Sequence, residues 1–167
     1  EIPLETIWKS ILLARNHEVP VLLNPSPVSN IPDDILNGLE YLILNESELS
    51  LLTRLPTGTL PEIRKASEIL LSKGVKRVIL TRGEEGCFYL DKEGEAQLPA
   101  FIVQPVDTTA AGDAFIGGFA SSLIQGVDIR SALKTGMAAG ALAVTKAGAQ
   151  TSLPTCEELD NFLGNQN

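Results

Sequence analysis

The residues best suited to chemistry lie together in one segment, residues 107–115, which reads Asp-Thr-Thr-Ala-Ala-Gly-Asp-Ala-Phe. The pattern predicts an extended stretch that passes into a helix, and the small residues at 110–112 let the backbone approach a ligand closely. Amide N–H groups at a helix N-terminus, with the helix dipole behind them, form a site for an anion. Asp113 falls in the first helical turn. Its carboxylate either complements the helix dipole, which stabilises the helix by about 0.5 kcal/mol, or serves as a base that faces a bound phosphoryl group. In the second interpretation the segment has the parts for phosphoryl transfer to an alcohol.

The segment 107–115 is not one of the common phosphate-binding motifs, because the sequence contains neither G-x-x-x-x-G-K-[ST] nor G-x-G-x-x-G. Four polar residues lie at the ends of predicted strands: Asn24, Asn45 and Thr81 at the ends of the first three strands, and Asp107 after the hairpin. Open parallel sheets bind ligands at the carboxyl ends of their strands, so four such ends in succession indicate a ligand-binding edge. For each residue alone, a role in a turn or a helix cap is the favoured interpretation.

The elements that must position these residues alternate between helix and strand. Apolar spacing predicts helices at 4–16, 33–39, 46–52, around 63–71 with Gly74 as the end, 114–125 and 129–146, and a last helix through 163 that opens with a Thr155–Glu158 capping box. Short apolar runs predict strands at 19–23, 41–44 and 78–81, and a hairpin of 87–90 with 97–103. This order predicts one α/β domain over residues 1–167, with a mostly parallel sheet covered by helices on both faces.

Composition excludes several classes of function. The 167 residues carry 21 acidic and 13 basic side chains, a net charge of −8, which argues against nucleic acid as a partner. No apolar run approaches the roughly 18–20 residues of a membrane span. Two cysteines and one histidine cannot supply a disulfide framework or an imidazole-rich metal site, and they favour a reduced, cytoplasmic compartment.

Several segments, in the same order along the chain, resemble the ribokinase (phosphofructokinase-B type) family of sugar kinases. The segment 107–115 resembles the signature of that family, and the other matches are Glu1-Ile2-Pro3, Asn24-Pro25-Ser26-Pro27, the N-x-x-E motif Asn45–Glu48, residues 81–86 and Gly148-Ala149-Gln150-Thr151-Ser152. The resemblance covers essentially all 167 residues, which correspond to the C-terminal part, somewhat over half, of a family member. It implies a ribokinase-like three-layer α/β/α sandwich from which the N-terminal strands and the lid are missing.

The resemblance implies a role for each matching residue. Asp113 would be the catalytic base that takes the proton of the sugar hydroxyl, and the backbone of Ala110, Ala111, Gly112 and Asp113 would form the anion hole. Asn45 and Glu48 would organise Mg²⁺ and the nucleotide phosphates, and Glu1 would contact the sugar. The residues that would line ATP are Thr81, Arg82, Gly83, Glu84, Glu85 and Gly86.

The same resemblance implies a monovalent cation, K⁺, beside the anion hole, held largely through carbonyl oxygens. The matching positions are Asp107, Thr109, Ala143, Lys146, Gly148 and Ser152. Such a cation would order the loop and strengthen the anion hole electrostatically. Met137 stands where many members place Asn or His near the nucleotide base. Ala110 stands where many of the wider family have Gly and ribokinases often have Ala, so it favours the ribokinase branch.

The expected activity of the intact protein is ATP-dependent phosphorylation of D-ribose to D-ribose 5-phosphate. Another acceptor (fructose, 2-keto-3-deoxygluconate or a nucleoside), a nucleotide-binding module without catalysis and a purely structural α/β domain remain as alternatives. In the family the missing N-terminal part supplies a sugar-binding segment and a β-lid that mediates a homodimer. The chain alone is therefore expected to be inactive, because a kinase must hold both reactants.

Overall fold

The computed structural model describes residues 2–27 and 31–165 of the chain. The helices are α1 (Leu4–Asn16), α2 (Asp33–Leu36), α3 (Glu46–Thr53), α4 (Leu60–Ser72), α5 (Ala111–Ile124), α6 (Ile129–Ala143) and α7 (Cys156–Gly164). The strands are β1 (Leu22–Leu23), β2 (Tyr41–Asn45), β3 (Arg77–Thr81), β4 (Cys87–Leu90) and β5 (Glu95–Leu98), and short 3₁₀ turns cover Gly83–Glu85 and Gln150–Ser152. Within the described ranges, no helix is both long and apolar enough to cross a membrane.

The strands form one sheet in the order β1-β2-β3-β4-β5. The pairs β1–β2 and β2–β3 are parallel, with Leu22 opposite Tyr41 and Asn45 opposite Thr81. Residues 82–86 and 91–94 connect the later strands, and connections this short cannot make the crossover that parallel neighbours require. The sheet is therefore mixed, and the predicted alternation of helices with a partly parallel sheet is confirmed.

The chain divides into two compact units. The first unit comprises Glu1–Arg82 and Phe88–Ala96, and the second comprises Gly83–Cys87 and Gln97–Asn167. The single domain over residues 1–167 stays a prediction.

The core of the first unit is formed by the apolar faces of β2 and β3 together with α3 and α4. Its fully buried members include Leu42, Leu44, Leu49, Ile63, Leu70, Val78 and Leu80. Helix α4 begins with a capping box between Thr59 and Glu62, and the chain turns at Gly74, whose φ of +96° is the left-handed conformation that ends helices. The predicted end of this helix at Gly74 is confirmed.

In the second unit, α5 and α6 pack closely because small residues face each other. A Cβ added at Gly136 would lie 2.9 Å from the Phe115 carbonyl oxygen, and one added at Gly118 would lie 2.9 Å from the Cβ of Ala139. Larger side chains would force the two helices apart. The expectation that small residues allow close packing here is confirmed.

Two predicted strands have different bounds in the structure. Strand β1 is limited to two residues instead of 19–23, because Pro20 lacks an N–H for the ladder and Val19 is 56% exposed. The second hairpin strand is Glu95–Leu98 and not 97–103, since Pro99 interrupts the ladder and Ile102 lies fully in solvent. Asp107 consequently does not follow a strand, and its predicted place at a strand end was wrong.

Candidate active site

Polar side chains gather at the carboxyl edge of the parallel strands in the first unit. Asn45 and Thr81 are neighbours in register at the ends of β2 and β3. Asn24, directly after β1, donates from Nδ2 to the Ile43 carbonyl at 2.9 Å, and Thr81 donates from Oγ1 to the Leu44 carbonyl at 3.3 Å. The predicted location of these three residues at the ends of neighbouring parallel strands is confirmed, and ligand binding at this edge stays a prediction.

The N-x-x-E motif forms a reciprocal cap on α3. The Glu48 amide donates to Asn45 Oδ1 at 2.9 Å, and the Asn45 amide donates to Glu48 Oε2 at 2.9 Å. Glu48 is only 7% exposed, so both side chains serve the start of the helix. Sequence analysis missed this capping box, although Asn followed three residues later by Glu is itself a capping pattern.

The donor chemistry of this edge fits Mg²⁺ in an indirect role. Oε2 of Glu48 accepts the Asn45 amide, whereas Oε1 has no hydrogen-bond donor among residues 2–27 and 31–165. Mg²⁺ usually keeps several waters and uses one or two carboxylates. No group of three or more acidic, His or Cys side chains in the described residues is arranged to hold a metal. One carboxylate oxygen with intervening water suits the implied role of Asn45 and Glu48.

Arg82, predicted to line the nucleotide, is anchored within the first unit. Its Nε donates to Glu46 Oε1 at 3.1 Å, and its side chain is 9% exposed. Glu46 is the first residue of α3, so this pair connects the end of β3 to the start of that helix.

The remaining nucleotide-loop residues, 83–86, belong to the second unit. Gly83, Glu84 and Glu85 form an exposed 3₁₀ turn, whereas Gly86 is buried. A Cβ at Gly86 would lie 2.0 Å from the Leu98 carbonyl oxygen, and φ is +88°. The backbone packing of the loop therefore requires glycine at 86, and the predicted contacts of residues 81–86 with ATP stay predictions.

Helix α5 begins without a side-chain cap. Ala110 occupies the N-cap position in the left-handed conformation, with φ 61° and ψ 9°. The Ala111 amide donates to the Thr108 carbonyl at 3.3 Å, while the amides of Gly112 and Asp113 have no acceptor within the described parts of the chain. Gly112 and Asp113 are both exposed. Two open amides and a carboxylate thus face solvent at one helix N-terminus, as an anion site beside a base requires. The Ala111 amide, which was predicted to belong to the anion hole, already has a partner.

Asp107 fastens two parts of the second unit to each other. Its Oδ1 accepts the Thr109 amide at 2.9 Å, and its Oδ2 accepts the Gly148 amide at 2.9 Å. These bonds, the one from Gly148 foremost, lower the pKa of the Asp107 carboxyl to about 2. The Val144 carbonyl accepts the Val106 and Asp107 amides at 2.7 and 3.2 Å, so backbone bonds hold the same junction. Asp107 is therefore ionised at neutral pH and holds the loop before α5 against the loop after α6.

Of the other predicted cation positions, Thr109 lies in the loop before α5, and the rest lie at the end of α6 or in the loop that follows it: Ala143, Lys146, Gly148 and Ser152. The Ala143 carbonyl accepts the Lys146 amide at 3.1 Å, and the buried Ser152 donates from Oγ to the Ala149 carbonyl at 2.7 Å. The available donors in this loop and at Asp107 are carboxylate and carbonyl oxygens, the ligands that hard cations prefer. This donor set fits K⁺, and the assignment of the site stays a prediction.

Met137 is 9% exposed in the middle of α6, where it packs as an apolar residue. Glu1, the expected sugar contact, lies outside the described residues.

Comparison with known proteins gives this arrangement a family context. The model of the "pfkB family carbohydrate kinase" matches residues 1–156. A deoxyribokinase of Salmonella typhi is 38% identical over 164 residues, covering 98% of this chain and 54% of the relative. A ribokinase of Haemophilus influenzae is 36% identical over 163 residues, covering 98% of this chain and 53% of the relative.

A solved structure shows the same fold. Arabidopsis thaliana ribokinase, in complex with ribose and ATP, superimposes with a TM-score of 0.93 at 31% identity, covering 97% of this chain and 53% of that one. The ribokinase-like α/β fold is confirmed. This chain spans about half the length of the curated relatives that it matches. The chain belongs to the pfkB family of carbohydrate kinases.

Proposed function

We propose that the intact protein transfers the γ-phosphoryl group of ATP to the primary hydroxyl of D-ribose, giving D-ribose 5-phosphate and ADP. One observation carries the proposal: the open amides of Gly112 and Asp113 lie beside the exposed Asp113 carboxylate. The ribokinase relative at 36% identity and the fold shared with a ribokinase in complex with ribose and ATP support the choice of substrates.

In the proposed reaction the Asp113 carboxylate takes the proton of the sugar hydroxyl. The hydroxyl oxygen forms a bond to the γ-phosphorus, the bond between that phosphorus and the β,γ-bridging oxygen breaks, and ADP leaves. Negative charge on the transferring group faces the amides of Gly112 and Asp113 and the positive end of the α5 dipole. Because these amides already lie at the helix N-terminus before the reaction, little reorganisation accompanies the transfer.

Asp107 and the edge of the first unit have supporting roles in this proposal. Asp107 fixes the loop from which Ala110 turns into α5. Glu48 Oε1 would accept a hydrogen bond from a water molecule of hydrated Mg²⁺. Mg²⁺ would neutralise nucleotide phosphates, and K⁺ near Asp107 would add positive charge behind the anion hole.

The sugar must be held by the portion that the longer relatives have and this chain lacks. We therefore propose that this chain alone binds Mg²⁺-ATP without turnover and that the intact protein forms a homodimer through its lid. The two cysteines are free thiols, Cys87 buried and Cys156 exposed, which suits the reduced cytoplasm where we place the enzyme.

The decisive experiment compares Asp113→Asn with the unaltered enzyme in a full-length background. We expect kcat to fall by about 10²–10⁴-fold, the usual contribution of a general base, while calorimetry detects Mg²⁺-ATP binding in both proteins. Asp160→Asn, a change of the same type at an exposed position of α7, is the control and retains activity. Substantial turnover by Asp113→Asn would remove Asp113 from the role of base.

A second acceptor, 2-deoxy-D-ribose, is favoured by the deoxyribokinase relative at 38% identity. Comparison of kcat/KM for the two pentoses in the full-length enzyme decides between them. A higher kcat/KM for D-ribose supports the first proposal, and a higher value for the deoxy sugar replaces ribose with it. The Asp113 chemistry is the same for both acceptors.

A further inference from the structure

The side chain of Glu158 connects the start of α7 with Lys146 in the loop after α6. Its Oε2 accepts the Thr155 amide at 2.8 Å, which completes the capping box at the start of α7. Its Oε1 accepts Lys146 Nζ at 2.6 Å. A capping box needs only one of the two carboxylate oxygens, so the second contact is not required to start the helix.

Lys146 lies between the points that hold Asp107. The Val144 carbonyl accepts the Asp107 amide, and the Gly148 amide donates to the Asp107 carboxylate. The Lys146 amide itself donates to the Ala143 carbonyl. Fixing the end of the Lys146 side chain on α7 therefore restrains the backbone on both sides of these contacts.

A separate contact holds α7 near the same structures. Leu159, next to Glu158, packs against the buried cluster formed by Ala114 of α5 with Ala139 and Ala143 of α6. Helix α7 is thus anchored by an apolar contact and directs the Glu158 carboxylate to the loop. The ion pair of Lys146 with Glu158 is partly exposed, with 36% of the Lys146 side chain and 43% of the Glu158 side chain accessible to solvent. It therefore contributes little to the free energy of unfolding.

We infer that Glu158 is a positioning residue that holds residues 143–148, through Lys146, in the conformation competent to bind a monovalent cation. The inference rests on the proposed function, since it assigns a role toward the proposed K⁺ site. Without the pair, the loop has to be ordered when the cation binds, and the entropy lost at that point weakens cation affinity. The expected effect is therefore on the K⁺ requirement and not on the proton transfer.

The test uses Glu158→Gln in the full-length protein. Glutamine preserves the capping box, because its side-chain oxygen accepts the Thr155 amide, and it removes the charge that holds Lys146. Lys146→Met removes the other partner and keeps the backbone carbonyl, whereas Lys146→Arg keeps a cation that pairs with Glu158. Glu157→Gln, one residue away and exposed, is the matched control.

The first readout is independent of activity: the rise of Tm with KCl, against NaCl at matched ionic strength. We expect Glu158→Gln and Lys146→Met each to raise the K⁺ midpoint by about fivefold or more, with little change of Tm in the absence of K⁺. The double variant should match either single variant, and Lys146→Arg and Glu157→Gln should retain the original midpoint. In Glu158→Gln the K⁺ concentration for half-maximal phosphorylation should rise in parallel, while kcat at saturating K⁺ is retained.

Three results would overturn the inference: an unchanged K⁺ midpoint in Glu158→Gln, an equal shift in Glu157→Gln, or additive shifts in the double variant. A protein that phosphorylates the sugar but shows no K⁺ response overturns it too and leaves the proposed function standing. Absence of phosphorylation at every K⁺ concentration counts against the proposed function, while the Tm series still decides the role of Glu158.

Discussion

Helices α3 and α5 both begin at motifs that resemble phosphate-binding elements, yet their first turns are completed in opposite ways. At α3 the side chains of Asn45 and Glu48 bond reciprocally to each other's amides. At α5 no side chain caps the helix, and the amides of Gly112 and Asp113 have no acceptor in the described residues. The first amides of every helix lack partners within the helix. The two motifs differ because side chains accept at α3, whereas the amides at the start of α5 are left open.

The difference shows that a candidate anion site needs helix amides that no side chain already caps. Because the amides of α5 face solvent, an anion displaces only water there, and the dipole favours the exchange. At α3 an anion would first have to displace Glu48, which is 7% exposed and already completes the cap. The open helix is therefore the better site for the transferring group, and the closed one holds the edge of the sheet in place.

Gly112→Ala should produce the largest effect on this comparison. A Cβ at 112 meets nothing within 4 Å, so the fold tolerates it, and alanine stabilises a helix by about 0.5 kcal/mol over glycine. The methyl group nevertheless lies where the proposed phosphoryl group must approach the amides, and we expect kcat in the full-length enzyme to fall by about 10²-fold or more.

Gly117→Ala is the matched control for this change, since it lies on the same helix, is exposed and also meets nothing within 4 Å. It should give a similar gain in Tm with full activity. Equal activity of the two variants would show that the start of α5 does not receive the phosphoryl group.

Asn45→Ala tests the closed helix. Loss of the side-chain acceptor should lower the free energy of unfolding by about 1 kcal/mol, measured by denaturant titration. Asn45→Asp keeps an acceptor for the Glu48 amide and should retain most of the stability. An unchanged stability in Asn45→Ala would mean that the reciprocal cap does not support α3.

Ala110→Gly tests the strain at the open helix. The left-handed conformation costs alanine about 1–2 kcal/mol, and the entropy that glycine loses on folding costs about 0.4–1 kcal/mol more, so a net gain of roughly 0–1.6 kcal/mol is expected. Thermal unfolding of the two proteins measures it, and a clear loss of stability would contradict the assigned conformation. Activity should fall modestly, because glycine makes the anion hole less rigid.

Local sequence patterns predicted those parts of the site that depend on neighbouring residues. The start of α5 with Asp113 in its first turn, and the polar edge formed by Asn24, Asn45 and Thr81, follow from strand and helix signals within a few residues. The short β5 and the burial of Gly86 against Leu98 depend on the packing of one segment on another.

The contacts of Asp107 with Gly148 and of Lys146 with Glu158 join residues 41 and 12 positions apart. Periodicity carries no information on such contacts. The resemblance to a family placed Asp107 and Gly148 in one site, but only the coordinates give the hydrogen bond between them. The second contact of Glu158 had no signal in the sequence, since its capping box already explained the residue.

The smallest expected effect concerns the pH dependence of the loop before α5. Bonds from the Gly148 and Thr109 amides lower the pKa of Asp107 to about 2, against about 3.9 for an unperturbed aspartate. The folded pKa is the lower one, so the contribution of Asp107 to stability is complete above about pH 4 and is lost as the pH falls toward 2. Carboxyl chemical shifts in an NMR titration should therefore give Asp107 a midpoint near 2. A normal midpoint for Asp107 would show that the loops before α5 and after α6 are not held together in solution, and the open helix N-terminus would then lack the rigid support that distinguishes it from a frayed helix end.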